Sequence, residues 1–330
     1  MTQPTMKDVA QAAGVALKTV SRYVNGETNI DPVLAERIAA AIASLNYRRN
    51  LMAASIRPGW TSKTIGLIIS DLANPYYSTL ARAIESVLTP HGYLLTSASS
   101  DESGAIHDRL IDRLMEQRVD GLIVVPPRHP ERSWADVAPP VPPLIFIDRP
   151  AVGTDADTIL ADNVGGAGAA TAALLAGGAR HIAFVGDSLD IYTIRERHRG
   201  YRGALREAGL EAEEALEFTS AHDVEQAAGV VEDILDAGHA DAIFAANNRA
   251  AIGALRAFGA KGRRLPLVAF DDFEAADIVE PPVSVVSQDI RLMGHRAGEI
   301  LLQRLQGLQR PPETIVLPTR LILRGSEKLS

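Results

Sequence analysis

The sequence predicts an α/β protein in which a small all-α head precedes a two-lobed body of doubly wound parallel sheets. The chain has 330 residues, which is about two domains at the usual ~150 residues each, with room for an appendage. Hydrophobic residues make up 46% and charged residues 22%, as in ordinary folded chains. The first 45 residues show helical periodicity, whereas apolar runs alternate with amphipathic segments from Thr64 onward.

The composition and the N-terminus argue against secretion and membrane insertion. There is no cysteine, which excludes a disulfide scaffold, an iron–sulfur cluster and a Cys-ligated zinc site and is consistent with a reducing compartment. The first residues carry Lys7 and Asp8 and lack the apolar run of a signal peptide. No apolar run approaches the ~20 residues that a bilayer requires. We therefore expect a cytoplasmic protein without a membrane partner.

Charge is distributed unevenly along the chain. Residues 1–63 contain eight Lys or Arg and four acidic residues, a net charge of +4, whereas the whole chain carries −8. The remainder therefore carries −12. A basic head on an acidic body favours a polyanionic partner for the head alone.

Apolar spacing predicts three short helices in the head. The first ends at Gly14, the second ends at Asn25-Gly26, and the third begins at Asp31-Pro32, an N-cap followed by proline at the first helical position. The apolar faces of the first and third helices are formed by Met6, Val9, Ala10 and Ala13, and by Leu34, Ile38, Ala41, Ile42 and Leu45. The second helix has an apolar stripe of Leu17, Val20 and Val24 and a polar stripe of Lys18, Ser21, Arg22 and Asn25.

Two short helices joined by a glycine turn and closed by a third form a helix-turn-helix. In this motif the second helix enters the DNA major groove, and its outward polar face reads base edges. Arg22 suits guanine, and Lys18 suits a base or a phosphate. The spacing of Leu17 fits either the core or a contact with a thymine methyl group. The alternative interpretation is a three-helix bundle whose second helix is simply solvated.

Residues 5–26 (TMKDVAQAAGVALKTVSRYVNG) and 45–57 (LNYRRNLMAASIR) resemble the lactose/galactose-repressor (LacI/GalR) family of bacterial transcription regulators. The resemblance implies a helix-turn-helix, a hinge helix that folds in the DNA minor groove, and a periplasmic-binding-protein-like core. It also implies a homodimer on near-palindromic, double-stranded operator DNA. By matching position, the implied major-groove and phosphate contacts are Thr5, Leu17, Lys18, Thr19, Ser21, Arg22, Asn25 and Asn29. The implied hinge contacts are Tyr47, Asn50, Ala53 and Ile56.

Three positions depart from the family pattern. Ala16 replaces the serine that usually caps the recognition helix, at a cost of ~1 kcal/mol in helix stability. Arg49 replaces a rigid hinge proline and adds a possible phosphate contact. Ile56 replaces the usual leucine wedge, which parts a base step and kinks the duplex. Isoleucine is apolar enough for this role, although its β-branch restricts its rotamers.

Ten strands alternate with amphipathic helices in the body, as in parallel sheets covered on both faces. Roughly 270 residues exceed one doubly wound domain, so two packed lobes are predicted. The predicted strands are Thr64–Ser70, Tyr93–Ser97, Gly121–Pro126, Leu144–Asp148, Thr158–Ala161, His181–Gly186, Leu216–Thr219, Ala242–Ala246, Leu267–Phe270 and Val283–Gln288.

Body segments also resemble landmarks of the same family, in the same order: DLANPYY, VDGLIVVP, FIDRP, DNVGGA, RHRGYRGAL, AANNRAAIGALRAFG and FDDFEAADIVEPPVSVVSQD. The resemblance implies crossings between lobes near Asp162-Asn163, Gln288-Asp289 and Pro318. The implied domains are a helix-turn-helix at 1–49, a hinge helix and linker at 50–63, and an effector-binding core at 64–330. The N-lobe comprises about 64–162 and 290–317, and the C-lobe about 163–289 and 318–330. No leucine heptad follows Gly325, so we expect a dimer and not a tetramer.

Ligands of open α/β sheets bind beyond the carboxyl ends of the strands, here between the lobes. The candidate effector-binding residues are Asn74, Tyr76, Tyr77, Asp148, Thr193, Arg197, Asn247 and Asp271. Carboxylates, amides and an arginine suit the hydroxyl groups of a sugar, sugar acid or polyol. The family pattern favours Asp148, Arg197, Asn247 and Asp271, with Tyr76 or Tyr77 as a stacking platform. Alternatively, Asn74-Pro75 is only a helix cap, and the charged run 195–199 is mostly solvated.

These features predict a DNA-binding transcriptional regulator whose operator affinity is changed by a small molecule. Repression relieved by an inducer is the commoner mode in the family, and corepression and activation stay open. The second hypothesis is a solute-binding protein without regulatory DNA binding. The third is an enzyme, but the sequence contains no G-x-S-x-G, G-x-x-x-x-G-K-[ST] or H-E-x-x-H motif. We predict no cofactor, no metal site and no catalytic residue.

Overall fold

The computed structural model describes residues 4–27, 29–48, 61–150 and 153–328. The chain divides into two compact units, Met1–Ser62 and Lys63–Ser330, which we describe separately. The predicted hinge contacts Asn50, Ala53 and Ile56 lie outside the described residues, as does Arg49.

The first unit contains helices α1 (Met6–Ala13), α2 (Leu17–Val24) and α3 (Pro32–Leu45). Thr5 and Asp8 form a reciprocal capping box at the start of α1, and Asp31 caps α3 by accepting from two backbone amides. Gly14 ends α1 in the left-handed conformation, with φ of 59°, which glycine adopts at low cost. The three helices enclose a small core of Val9, Ala10, Ala13, Val20, Ile38, Ala41 and Tyr47.

Helix α2 begins without a side-chain cap because its N-cap residue is Ala16. Val20 is fully buried, whereas Leu17 is 43% exposed at the first position of the helix. The sequence left open whether Leu17 packs in the core or faces outward, and the structure shows it facing outward.

The second unit forms twelve strands and seven α-helices among its described residues. The strands are β1 Thr64–Ile69, β2 Leu94–Ser99, β3 Gly121–Val124, β4 Leu144–Ile147, β5 Asp157–Ala161, β6 Ile182–Val185, β7 Glu217–Phe218, β8 Ala242–Ala245, β9 Leu267–Phe270, β10 Ser284–Gln288, β11 Thr314–Leu317 and β12 Thr319–Ile322. The helices are α4 Pro75–Leu88, α5 Gly104–Glu116, α6 Asn163–Ala176, α7 Tyr192–Glu207, α8 Val224–Ala237, α9 Asn248–Lys261 and α10 Ile290–Leu305.

Two six-stranded sheets organise this unit into two lobes. Their orders are β11-β5-β4-β3-β1-β2 in the N-lobe and β12-β10-β9-β8-β6-β7 in the C-lobe, so each strand has a counterpart in the other sheet. All strand pairs are parallel except β10 with β12, which is antiparallel. The fold class predicted from the sequence, including doubly wound parallel sheets, is confirmed, while the edge strands β11 and β12 were not predicted.

The chain passes between the lobes three times. It passes from the N-lobe to the C-lobe after β5, at Asp162. It returns after β10, at Asp289, as shown by the packing of the next helix, α10, on α4 of the N-lobe. It crosses again at Pro318 between β11 and β12. In proteins of this topology such crossings serve as hinges between lobes.

Continuous apolar strands form the centre of each lobe. Strands β3, β6, β8 and β9 are buried along their whole length. Helices cover both faces of each sheet, and the buried residues form two clusters per lobe. This rigid packing fixes the strand ends at which the polar residues stand.

No described helix is both long and apolar enough to span a bilayer.

Candidate functional site

A polar cleft lies between the two lobes at the carboxyl ends of the strands. It contains about 580 Å³ of empty space, which includes space open to solvent. All eight residues predicted to bind an effector line it. The described residues that line it are Ser70, Asn74, Tyr76, Tyr77, Glu102, Asp148, Arg149, Asp187, Ile191, Thr193, Ile194, Arg197, His222, Asn247, Asn248, Arg249 and Asp271.

Two aspartates occupy equivalent positions in the two lobes. Asp148 follows β4 and Asp271 follows β9, and these strands are third from the corresponding edge of each sheet. Both residues are buried and have left-handed backbones, with φ of 69° and 71°. Aspartate tolerates this conformation better than most residues, but it still costs on the order of 1 kcal/mol. Strain of this kind is typical of binding sites, where it aims a side chain at a ligand.

Asp271 is neutralised by Arg197. The Arg197 Nη1 lies 3.2 Å from the Asp271 carboxylate and also donates to the backbone oxygen of Ala246, while Nε donates to Asn163 at 2.9 Å. The guanidinium stacks over Phe270 at 3.8 Å from the ring centroid. Arg197 therefore points inward, unlike its exposed neighbours Arg195 and Arg199.

Asp148, by contrast, is contacted mainly by phenols. Its two oxygens accept hydrogen bonds from the hydroxyls of Tyr76 at 3.1 Å and Tyr77 at 3.2 Å. The nearest cation is Arg149, whose Nε is 3.6 Å away and makes no hydrogen bond among the described residues. Burial raises the pKa of Asp148, although the two arginines Arg149 and Arg197 oppose this effect.

Tyr76 and Tyr77, the predicted aromatic stacking platform, line the cleft but are largely buried. Tyr76 and Tyr77 are only 7% and 6% exposed and pack edge-to-face on each other, with ring centroids 5.0 Å apart. Their hydroxyls are committed to Asp148, and burial raises the pKa of each well above its usual value. Both tyrosines lie in the first turn of α4, whose inner face packs on the sheet. Their hydroxyls hold Asp148, and their use as a stacking platform stays a prediction.

Sequence reasoning missed Glu102. This carboxylate receives two hydrogen bonds from the Arg149 guanidinium at 2.7 and 2.6 Å, one from the Ser70 hydroxyl at 2.6 Å, and one from the backbone amide of Arg128 at 3.1 Å. Burial opposes its ionisation, but the contacts with Arg149 outweigh burial and lower the pKa of Glu102 to about 2. The left-handed conformations of Asp101 and Glu102 are not visible in a linear pattern.

Two of the contacts that join the lobes are made by the first turn of α9, and a third is the ion pair of His129 with Asp190 at 3.2 Å. Arg249, in the first turn of α9, forms an ion pair with Asp71 in the loop after β1. Beside it, the Asn248 amide donates to the Asn74 side-chain oxygen at 2.9 Å. Asn74 also caps α4 by accepting from the Tyr76 amide, so the alternative interpretation of Asn74-Pro75 as a helix cap is correct without removing Asn74 from the cleft.

The remaining C-lobe wall is formed by Thr193, Asn247 and the pair His222–Asp187. Thr193 is buried in the first turn of α7, and Asn247 caps α9 by accepting from the Ala250 amide at 2.8 Å. The imidazole Nδ1 of His222 lies 2.8 Å from Asp187. Sequence reasoning missed both members of that pair, because they follow different strands and carry no motif.

The outward face of α2 carries the predicted DNA-reading side chains. Lys18 and Asn25 are exposed, and Thr19, Ser21 and Arg22 are half-buried. Thr5 is exposed at the capped N-terminus of α1, where backbone amides favour an anion such as a phosphate.

Two further predicted contacts lie elsewhere in the helical unit. Asn29 is exposed beyond the end of α2 and accepts a hydrogen bond from Arg22. Tyr47, predicted as a hinge contact, is only 9% exposed and belongs to the helical core. Its ring therefore packs the three helices.

Among the described residues, no group of three or more His, Cys, Asp or Glu side chains is arranged to hold a metal ion. The carboxylates of the cleft are instead paired with arginine, histidine or tyrosine side chains. This donor set suits hydroxyl groups, which both donate and accept hydrogen bonds.

Comparisons with known proteins agree with both units. Residues 5–50 match the family described as bacterial regulatory proteins, lacI family, and residues 171–327 match a periplasmic binding protein-like domain. The HTH-type transcriptional regulator CelR of Thermobifida fusca is 32% identical, and the match covers 98% of each chain.

Two solved structures are similar over almost the whole chain. The complex of the transcriptional regulator CelR with cellobiose is 31% identical, with a TM-score of 0.71, and the match covers 98% of this chain and 99% of that one. The lac repressor dimer bound to operator and the anti-inducer ONPF is 27% identical, with a TM-score of 0.84, and the match covers 99% and 100%.

Proposed function

Because the chain belongs to the LacI family of bacterial regulatory proteins, we propose that it represses transcription by binding an operator, and that an uncharged sugar or polyol in the cleft changes its operator affinity. The observation that carries this proposal is the combination, in one chain, of an exposed reading face on α2 and a polar interlobe cleft. The similar CelR structure holds cellobiose, and the similar lac repressor structure holds operator DNA.

The charge pairing in the cleft favours a neutral effector. Three guanidiniums line it, and each is paired: Arg149 with Glu102, Arg197 with Asp271, and Arg249 with Asp71. The described lining contains no lysine. An anionic ligand would therefore meet carboxylates whose cations are already engaged, at a cost of several kcal/mol. The open lone pairs of Asp148 and Asp271 suit hydroxyl donors. We therefore infer a neutral sugar or polyol in preference to a sugar acid.

DNA binding is assigned to the residues that the family pattern matches. Leu17, Lys18 and Arg22 would read base edges, and the other major-groove residues would contact phosphates or bases. The hinge residues Tyr47, Asn50, Ala53 and Ile56 would act in the minor groove. We keep the domain limits of 1–49, 50–63 and 64–330, and a homodimer whose two heads meet a near-palindromic site. Such a protein works on chromosomal DNA, so we place it in the cytoplasm.

The proposed mechanism couples effector binding in the second unit to operator binding by the first unit. Effector binding would change the closure of the lobes, and closure in each protomer would change the packing of the two hinge segments. Such coupling is typically 1–3 kcal/mol and is reciprocal, so operator DNA would change effector affinity by the same factor.

The proposal is tested with the full-length chain and a library of duplexes with randomised palindromic half-sites. We expect salt-sensitive retention of a defined sequence, and a change in that retention when a neutral sugar is added. Matched pairs such as glucose with gluconate and ribose with ribose 5-phosphate test the charge argument. Binding is followed by thermal shift, because a ligand of the folded state raises the midpoint by mass action. The sugar should be recovered unchanged, since a regulator binds its effector without converting it.

Each part of the proposal has its own failing result. Absence of sequence-selective, salt-sensitive retention contradicts DNA-binding regulation. Tighter binding of an acid or phosphate than of its neutral partner contradicts the charge argument alone. Conversion of a sugar into a product contradicts the assignment as a non-enzyme.

A further inference from the structure

Arg22 is held from one side by a network within the helical unit. Its Nε donates to the Glu27 carboxylate at 2.7 Å. Its Nη2 donates to the side-chain and backbone oxygens of Asn29, the latter at 3.3 Å. Its Nη1 makes no hydrogen bond to a described residue. The guanidinium is therefore fixed along its Nε side, while Nη1 remains available.

The chain reversal after α2 places Glu27 beside Arg22. The Glu27 amide donates to the backbone oxygen of Arg22 at 3.1 Å, and the Gly26 amide donates to that of Tyr23 at 3.0 Å. These two bonds form a Schellman motif, which requires a left-handed residue at its C′ position. Gly26 supplies it with φ of 79°. The Glu27 backbone is thus tied to the residue whose side chain Glu27 holds.

The Glu27 contact has an evident use in reading a base. A free arginine side chain loses the freedom of several rotatable bonds when it forms two parallel hydrogen bonds with guanine N7 and O6. Here Nη1 would form one of them, and Nη2 would form the other by exchanging its 3.3 Å contact with the Asn29 backbone oxygen. An arginine already held at Nε loses less freedom and presents a fixed plane. The pair is also partly exposed, with side-chain exposures of 35% and 45%, so it contributes little to folding stability.

We propose that Glu27 is a positioning residue for DNA recognition, which orients the Arg22 guanidinium through Nε and thereby sharpens selection of guanine. The inference rests on the proposed role of Arg22 in reading a base. It makes Glu27, whose charge is opposite to that of Arg22, a second determinant of base preference. An acid on a DNA-facing surface repels phosphates, so Glu27 lowers affinity for every sequence while raising the preference for the correct one.

The test uses the full chain and four variants. Glu27→Gln removes the charge and weakens the contact, whereas Glu27→Asp keeps the charge but shortens the reach. Glu36→Gln removes an equivalent charge from an exposed position of α3 and serves as the control. Arg22→Ala removes the reading group. Circular dichroism establishes that each variant is folded. Sequencing of duplexes selected from the half-site library gives base preference, and anisotropy with one duplex of arbitrary sequence gives non-specific affinity.

The two readouts separate positioning from general electrostatics. We expect Glu27→Gln to lower guanine enrichment by about threefold or more at the position that depends on Arg22. It should also raise affinity for the arbitrary duplex, as Glu36→Gln does. Glu27→Asp should lower the enrichment without raising that affinity. Glu36→Gln should leave the enrichment unchanged.

Two results overturn the inference. If Glu27→Gln keeps the wild-type enrichment while Arg22→Ala abolishes it, Arg22 reads DNA without help from Glu27 and the proposed function stands. If Arg22→Ala itself leaves the enrichment unchanged, the assigned reading residue is wrong and the role of Glu27 falls with it.

Discussion

Replacing Glu102 by glutamine should destabilise the N-lobe in a way that depends on pH. The Glu102 side chain is buried and holds Arg149, Ser70 and the Arg128 amide. Its pKa falls from 4.5 to about 2, which corresponds to about 3 kcal/mol of stabilisation of the ionised form. Because the folded-state pKa is lowered, this stabilisation is complete above pH 4.5 and is lost as the pH falls towards 2. At pH 3.5 this contribution to the free energy of unfolding should have fallen by about 1.4 kcal/mol.

The measurement is urea unfolding of the wild type and Glu102→Gln between pH 7 and pH 3.5. Trp134 is buried in the N-lobe, edge-to-face with Phe146, so its fluorescence follows that lobe once Trp60 is replaced by phenylalanine in both proteins. At pH 7 the variant should lose about 3–5 kcal/mol, because Arg149 is left buried without its partner. The difference in the free energy of unfolding between the two proteins should decrease as the pH falls.

A constant difference between the two proteins across this pH range would refute the reasoning, since Glu102 would then have the same pKa folded and unfolded. Glu131→Gln, at an exposed position of the same lobe, is the control and should follow the wild type. Other buried carboxylates such as Asp157 also titrate in acid, but they are common to both proteins and cancel in the difference.

Two further substitutions test the cleft mouth and the reading face. Asp71→Asn removes the interlobe ion pair with Arg249 but keeps the side-chain oxygen that accepts from the Ala73 amide at 2.8 Å. If the ion pair favours the closed arrangement of the lobes by about 1 kcal/mol, its removal should weaken effector binding by about fivefold, as measured by calorimetry. Equal effector affinity of the variant and the wild type would mean that the ion pair does not favour the closed arrangement. Leu17→Ala should leave the thermal midpoint nearly unchanged because Leu17 is 43% exposed, yet it should weaken selection of one base pair by about 1 kcal/mol. An unaltered base preference in the selected duplexes would show that Leu17 does not touch DNA.

The sequence predicted those features that depend on local pattern. Continuous apolar runs predicted ten strands because a strand buried on both faces needs an apolar residue at nearly every position. The edge strands β11 and β12 were not predicted from the sequence. None of their residues is fully buried, and Pro312 and Pro318 lie beside them, where proline is typical of a sheet edge.

The site was predictable in location and less so in chemistry. Strand ends pointed to the cleft because the carboxyl ends of parallel strands meet at one edge. The partner of each polar group was not predictable: Glu102 lies 47 residues from Arg149, and Asp71 lies 178 residues from Arg249. For the same reason the contacts of the two tyrosine hydroxyls with the Asp148 carboxylate were not predictable from the sequence.

The hydrogen bonds of Gln288 give a physical route by which cleft occupancy reaches the lobe crossings. Gln288 ends β10 next to the crossing at Asp289, and its amide donates to the Asp271 carboxylate at 2.5 Å. On its other side the Tyr76 hydroxyl lies 3.5 Å from the Gln288 side-chain oxygen and 3.1 Å from Asp148. Asp271 is therefore bonded directly to the residue at the crossing, whereas the single proton of the Tyr76 hydroxyl serves either Asp148 or Gln288. A ligand hydroxyl that donates to Asp271 shares this carboxylate with the Gln288 amide, and this shared contact is the route by which we expect cleft occupancy to affect the crossing.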